Sequence, residues 1–418
     1  MNGLARRARP TVSAALATCS IEGDAMAWPA DGRAARRHRS AAAYQHDPLQ
    51  FLAAEFEGTQ DVWRSASGRL CVASPQVARD VLGNRQGAFK ETSDFFHTRT
   101  GVFGPRTAQA EIGRAARDLI RHHLDARRAD LPRLVGTRLT PASTWPDAGN
   151  LLIHEHLQDV ILRPDAPAEL HAVVDGIIAR AVLAGARERH AVLSRLRFRR
   201  RAMHLLIQNI EARRGAGLLE PHDLLDVAVI GAGLSADPGQ VAEVYLSFLF
   251  ATVGSIGFAL GWSVYLAGTH PSTTGDEPAW IVREALRLWP VAWLFARTPS
   301  RTHELSGVTA GPHDEVNVCL YLVHRNPQHW ERPNEFIPSR WAAPPREPAY
   351  MPFGFGPHTC AGATVTMTLL QDLIRVITRD WHISISASDG GCPQVGPALA
   401  PPRFTAELHQ RAVGQERR

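Results

Sequence analysis

Lysine is almost missing from this chain: Lys90 is the only one, and all other basic residues among the 46 are arginines. The formal net charge of +5 is thus spread over guanidinium groups set among many alanines. That pattern reads as the coding bias of a GC-rich genome rather than as a nucleic-acid surface. There is no internal repeat, no Walker-type phosphate loop, no Gly-x-Ser-x-Gly and no Cys-x-x-Cys pair. Repeat arrays, P-loop chemistry, the serine-hydrolase elbow and a paired-cysteine zinc site therefore have no support. Cysteine is sparse and odd in number: Cys19, Cys71, Cys319, Cys360 and Cys392. This argues against a disulfide framework and for a reducing compartment. Long apolar runs are limited to Val244 to Thr269, which holds no Asp, Glu, Lys or Arg. That run is long enough to cross a bilayer. It also carries Ser247, Thr252, Ser255 and Ser263, and a central helix buried on all sides gives the same pattern. The expectation is a buried core helix and no membrane. Residues 1–43 and 413–418 read as tails, the first rich in Arg and Ala.

What is present is more specific. Phe353-Gly354-Phe355-Gly356-Pro357-His358-Thr359-Cys360-Ala361-Gly362 sets one cysteine in a glycine-rich loop. The loop runs into Ala363 to Arg379, a mostly apolar stretch without proline that is expected to be helical. Gly354, Gly356 and Gly362 let the backbone turn and approach a flat cofactor closely. A helix N-terminus just after Cys360 lowers the thiol pKa and aims N–H groups at the sulfur. A thiolate held this way suits the axial position on haem iron. The plain alternative is a buried free cysteine in a loop.

The loop resembles the haem loop of the cytochrome P450 family, Phe-x-x-Gly-x-x-x-Cys-x-Gly, with Phe353, Gly356, Cys360 and Gly362 at its fixed positions. The resemblance implies a mainly α fold with small β-sheets over about residues 44 to 412. Haem b (iron protoporphyrin IX) would lie between a long central helix and the Cys-ligand loop. It makes Cys360 the proximal iron ligand, packs Phe353 beside the sulfur, and sets His358 on a haem propionate. Glu284 and Arg287 lie on an expected helix, Trp280 to Trp289, stopped by Pro290; their i,i+3 spacing puts both on one face. By resemblance they join Arg340, from Phe336-Ile337-Pro338-Ser339-Arg340-Trp341, in a buried charge network with a folding role. Arg297 matches an arginine that pairs with a haem propionate, for which a two-pronged guanidinium is suited. Arg117, on an expected basic helix from Arg114 to Asp125, matches a further propionate ligand, although Gly113 stands where the family has Trp or His. His324-Arg325-Asn326-Pro327 resembles the family's His-Arg-Asp-Pro turn.

The family's long helix carries roughly Ala-Gly-x-acid-Thr, whose acid and alcohol deliver protons to the oxygen being reduced. Counted back from His270-Pro271, this chain offers Ala251-Thr252-Val253-Gly254-Ser255. The acid has become Gly254 and the threonine Ser255. Ser255, Thr252 and ordered water, or a hydroxyl or amide of the substrate, must then carry the protons. Two outcomes stay open: a participating substrate that is coupled or cyclised after hydrogen abstraction, or ordinary hydroxylation. Phe89, Phe95 and Phe96, in the irregular stretch Gln86 to Glu111, either line the substrate pocket or pin a loop to the core. Ala251, Val291, Trp293, Leu294, Phe295 and the loop Val395 to Pro402 complete the expected lining.

Expected chemistry is oxidation of a small organic molecule or short peptide in secondary metabolism, in a cytoplasmic monomer. Ferredoxin and ferredoxin reductase would supply electrons. Arg114, Arg121, Arg127 and Arg128 offer a docking face for an acidic donor, or are simply solvated. Rival classes are a peroxide-driven haem oxidase and a non-catalytic haem sensor or binding module. Elsewhere the expected elements are a helix at Pro48 to Glu57, strands at Asp61 to Trp63 and Arg69 to Ala73, and a helix at Pro75 to Leu82 capped by Ser74. From Asn150 to Gly268 the chain reads almost wholly helical, and Leu305 to Val323 alternates like paired strands.

Overall fold

A computed structural model describes residues 42–56, 61–184, 190–217, 219–343, 349–387 and 391–411. The two tail segments expected from sequence lie outside these residues, apart from positions 42 and 43. Helices make up most of the regular structure among the described residues: Pro48–Phe56, Pro75–Gly83, Arg106–Arg127, Leu131–Arg138, Asp147–Ile161, Ala168–Ile177, Val192–Gly215, Leu224–Ala232, Pro278–Leu288 and Ala363–Asp380. Between them runs the long apolar helix Pro238–Thr269, 72% of whose most apolar window is buried inside the protein.

The strands are short. One sheet runs in the order β1 (Val62–Arg64), β2 (Leu70–Val72), β9 (Val316–Cys319), β6 (Leu294–Arg297), with only the β2–β9 pair parallel. A second joins β10 (Trp381–Ala387), β13 (Phe404–Gln410) and β5 (Ala142–Trp145), all antiparallel. Two-stranded pairs form at β3–β4 (His97–Thr98, Gly101–Val102), β7–β8 (His303–Leu305, Val308–Ala310) and β11–β12 (Gln394–Val395, Leu399–Ala400).

Sequence periodicity explains the packing of the main helices. In Ala363–Asp380 the buried residues Leu369, Leu370, Leu373, Ile374 and Ile377 recur at helical spacing and form one stripe. In Pro238–Thr269 the last turns, Ile256 to Ala267, are buried almost all round. They pack against Asp147–Ile161, Pro278–Leu288, Ala363–Asp380 and β10, which is why this segment shows no polar face.

The charge network is built as expected. Arg287 donates Nε to Glu284 Oε2 at 2.9 Å and Nη2 to Oε1 at 2.8 Å, and both residues are fully buried. Arg340 Nε reaches the same Oε1 at 2.9 Å. Arg287 also donates to the carbonyls of His324, Pro333 and Glu335, so its remaining N–H groups are satisfied. His324 extends the network to the cysteine loop. Its Nδ1 lies 3.2 Å from the Arg287 carbonyl, and its Nε2 accepts the N–H of Met351 at 3.0 Å. Those partners fix a neutral tautomer, and burial, with the Arg287 and Arg325 charges adding to it, lowers the pKa to about 3.

Several expectations are corrected. Ser74 precedes the Pro75–Gly83 helix, but its side chain makes no capping bond. Gln86 to Glu111 is not irregular throughout, since β3 and β4 pair within it and a helix begins at Arg106. Leu320–Val323 is a helical turn, not the end of a strand. Cys71, Cys319 and Cys360 are free, and Cys19 lies outside the described residues.

Candidate haem site

Around Cys360 the backbone is fixed by short-range bonds. Gly354 N–H donates to Met351 O at 3.0 Å, Thr359 N–H to Gly356 O at 3.1 Å, and Cys360 N–H to Phe353 O at 2.9 Å. Gly356 has φ +75°, and a Cβ there would come within 2.8 Å of Gly83 Cα. Both facts demand glycine, and they dock the loop on the Pro75–Gly83 helix. Gly354, φ +74°, lets the ring of Phe295 lie 3.6 Å from where a Cβ would be. The Arg106–Arg127 helix closes the other side, where a Cβ on Gly113 would sit 3.0 Å from Ala361 Cβ. That close approach accounts for the missing Trp or His at position 113.

Cys360 is exposed, whereas the free thiols of Cys71 and Cys319 are buried. Its pKa departs from expectation in sign. Although the residue is open to solvent, the protein packed around the loop desolvates the sulfur and raises its pKa, and the N–H groups of Gly362 and Ala363 at the helix N-terminus only oppose that rise. The helix end acts in the expected direction and is outweighed. Burial pushes the Cys319 thiol further, to about 12.

Arg297 and His358 meet at one cavity of about 290 Å³, also lined by Arg85, Lys90, Arg106 and Glu91. Arg297 is 5% exposed and pairs with Asp94 at 3.2 Å; His358 Nε2 lies 2.8 Å from Glu91 Oε1. Both propionate candidates thus already hold carboxylates, which is the chemistry a haem edge would present. Arg117 lies 3.5 Å from Asp118, and its solvent-shielded Nε has no hydrogen-bond partner. A shielded donor without an acceptor fits a further carboxylate. With a thiol at a helix N-terminus, a glycine cradle and cations suited to carboxylates, this loop fits haem.

The distal segment is bulged. Phe250–Ser255 is π-helical within the long helix, a form that recurs at functional sites. Thr252 is buried and spends its hydroxyl on Phe248 O at 2.7 Å. Ser255 is partly exposed, its Oγ 3.4 Å from Phe250 O. Gly254 packs against Val182, and a Cβ there would lie 3.4 Å from Val182 Cγ1. Phe250, which sequence reasoning missed, is 45% exposed although its neighbours Leu249 and Val253 are buried. Asn150 was missed as well, and its amide spans the bulge.

The expected pocket residues divide. Phe95 stacks edge-on with Phe96 at 4.8 Å and with Phe248 at 4.9 Å, against the long helix just before Ala251. Val291 accepts the N–H of Leu399 at 2.9 Å, Trp293 donates to Gly396 O at 2.8 Å, and Leu294 packs on the main core. Phe89 lies apart from these. It packs into the small core around β2 and β9, beside His303, and lines a separate cavity of about 530 Å³. Of the arginines proposed for donor docking, Arg121, Arg127 and Arg128 are paired with acids, Arg128 to Asp372 through two 2.8 Å bonds.

Comparison with known proteins agrees with this geometry. Residues 279–387, from the charge-network helix through the cysteine loop, match the cytochrome P450 family model. A P450 EryK mutant solved with erythromycin B superposes over 90% of this chain and 99% of its own, with TM-score 0.66 at 19% identity. A zebra fish cytochrome P450 solved with progesterone gives TM-score 0.65 at 17% identity, covering 86% of this chain and 99% of its own. The chain thus has the fold of the cytochromes P450, and its segment 279–387 is similar to that family. Among curated relatives, cyclooctatin synthase of Streptomyces melanosporofaciens is 29% identical over 34% of this chain and 37% of its own length. Cyclooctat-9-en-7-ol 5-monooxygenase of the same organism is 26% identical over 51% of this chain and 54% of its own. The chain spans about half or less of the length of these relatives.

Proposed function

We propose that the chain is a haem-thiolate oxidoreductase that uses O2 to oxidise a small organic molecule or short peptide in secondary metabolism. The observation that carries this reading is Cys360, the one exposed free thiol among the described residues, held at a helix N-terminus two residues after His358, which shares a cavity with Arg297. Haem b bound there would supply the two-electron oxidation, with electrons delivered by a ferredoxin and its reductase. Similarity to two Streptomyces proteins whose names include a monooxygenase supports the substrate class. Burial of the one long apolar helix among the described residues supports a cytoplasmic protein.

The chain's own residues define the distal side. Thr252 donates to Phe248 O at 2.7 Å, whereas Ser255 donates to Phe250 O only at 3.4 Å, so the Ser255 hydroxyl is the more easily turned towards substrate or water. Gly254 brings no carboxylate. Proton delivery therefore rests on Ser255, water and the substrate's own polar groups, which keeps coupling or cyclisation beside hydroxylation. Phe250 and Ala251 would present the apolar wall, with Phe95 behind them. Product analysis with 18O-labelled O2 separates the outcomes: full label incorporation means hydroxylation, and no incorporation means coupling or cyclisation. Ser255→Ala should lower product formed per electron consumed by tenfold or more. Unchanged yield would remove Ser255 from proton delivery. The peroxide-driven reading gains from the missing acid at Gly254; turnover with hydrogen peroxide but not with ferredoxin would favour it.

A further inference from the structure

The bulge in the long helix is held from outside by one side chain. Asn150, on the Asp147–Ile161 helix, is fully buried and donates its Nδ2 to Val253 O at 2.8 Å and to Gly254 O at 3.0 Å. Both partners are carbonyls, so the amide orientation is fixed by chemistry: only nitrogen can face them. Oδ1 is shielded from solvent and has no hydrogen bond, a cost accepted at a fully buried position. Gly257 leaves room for this contact. A Cβ there would fall 2.4 Å from Asn150 Nδ2 and 2.7 Å from Asn150 Cα. The helices therefore approach to near backbone contact at the point where the ladder of the long helix is broken.

In a regular helix the carbonyls of Val253 and Gly254 accept N–H groups one turn onwards. A π segment shifts that pairing: Val253 O accepts the N–H of Ile256, only three residues on, and its second lone pair and the Gly254 carbonyl remain open to a further donor. Asn150 is that donor. We infer that Asn150 is a positioning residue of the distal site, clamping the Val253 and Gly254 carbonyls so that the bulge persists and Ser255 keeps its aim. The inference rests on the haem-thiolate reading for its functional half, while the clamp itself stands on the apoprotein geometry. Its consequence is control of protons. Reduction of O2 by two electrons and two protons releases hydrogen peroxide, and poor positioning of Ser255 should send more electrons that way.

The test uses the full chain with Asn150→Leu, the isosteric Asn150→Asp, and Gly257→Ala, which attacks the same contact from the other helix. Two readouts are taken. Amide hydrogen exchange of residues 253–259 should be at least tenfold faster in Asn150→Leu and Gly257→Ala than in the parent, while residues 369–377 stay protected. With a surrogate ferredoxin and reductase, the share of consumed electrons recovered as peroxide, per haem-loaded molecule, should rise at least threefold. In Asn150→Asp the peroxide share should be smallest at low pH, where a protonated carboxyl still donates one bond, and should rise as it ionises. Exchange that rises evenly over the whole protein, or a peroxide share equal to the parent's in every folded variant, would overturn the inference. Failure of the haem reading looks different: the parent itself would then lack a thiolate-type carbon monoxide spectrum.

Discussion

Glu284 accepts five hydrogen bonds, from Arg287 Nε and Nη2, Arg340 Nε, Trp341 Nε1 and the Ile337 N–H, and none of its surface reaches water. Removing it leaves two guanidinium groups without their acid, so Glu284→Ala should cost about 3–5 kcal/mol in a urea titration. A loss below about 1 kcal/mol would mean the charges are solvated. His324 sets a pH limit. Its unfolded form takes a proton near 6.5 and its folded form only near 3, so the unfolded state binds more protons between those values. Stability therefore falls as pH drops from 6.5 towards 3, by up to about 1.4 kcal/mol per pH unit. Burial lowers His156 to about 4 and adds in the same direction. His324→Gln should lose less stability over that window than the parent does, read by circular dichroism. An equal loss would assign the acid sensitivity elsewhere. Glu284 and Arg287 were legible in sequence as a pair, because spacing along one helix face survives folding; Arg340 was joined to them only by the resemblance. Asn150 was not, since nothing local marks an asparagine whose partners lie about 100 residues onwards.

Whole elements were readable where one period governs them. The stripe in Ala363–Asp380 and the stop of Pro278–Leu288 before Pro290 followed from local pattern and proline. The π segment Phe250–Ser255 did not, because α and π pairing share the same apolar composition and a neighbouring helix decides between them. Short strands such as β3 and β4 depend on a partner rather than on their own two residues. At this scale the docking of the cysteine loop is open to test. Gly356→Ala places a Cβ 2.8 Å from Gly83 Cα at φ +75°, so the loop must shift away from the Pro75–Gly83 helix. Haem content after purification should fall at least fivefold, with secondary structure kept. Normal haem content would mean that the loop seats haem without that contact.

Over the whole molecule, the mainly α architecture with small sheets matches what the resemblance implied, and the burial of the long apolar helix matches what its charge-free run implied. The expected pocket was only partly gathered, with Phe89 serving the small core instead. The proposed function stands on Cys360 as the ligand of haem iron. The most direct measurement is the carbon monoxide difference spectrum of the dithionite-reduced, haem-supplied protein, beside Cys360→Ala. A thiolate-type Soret band in the parent and its absence from the variant is the predicted result. The same band in both, or in neither, would contradict it.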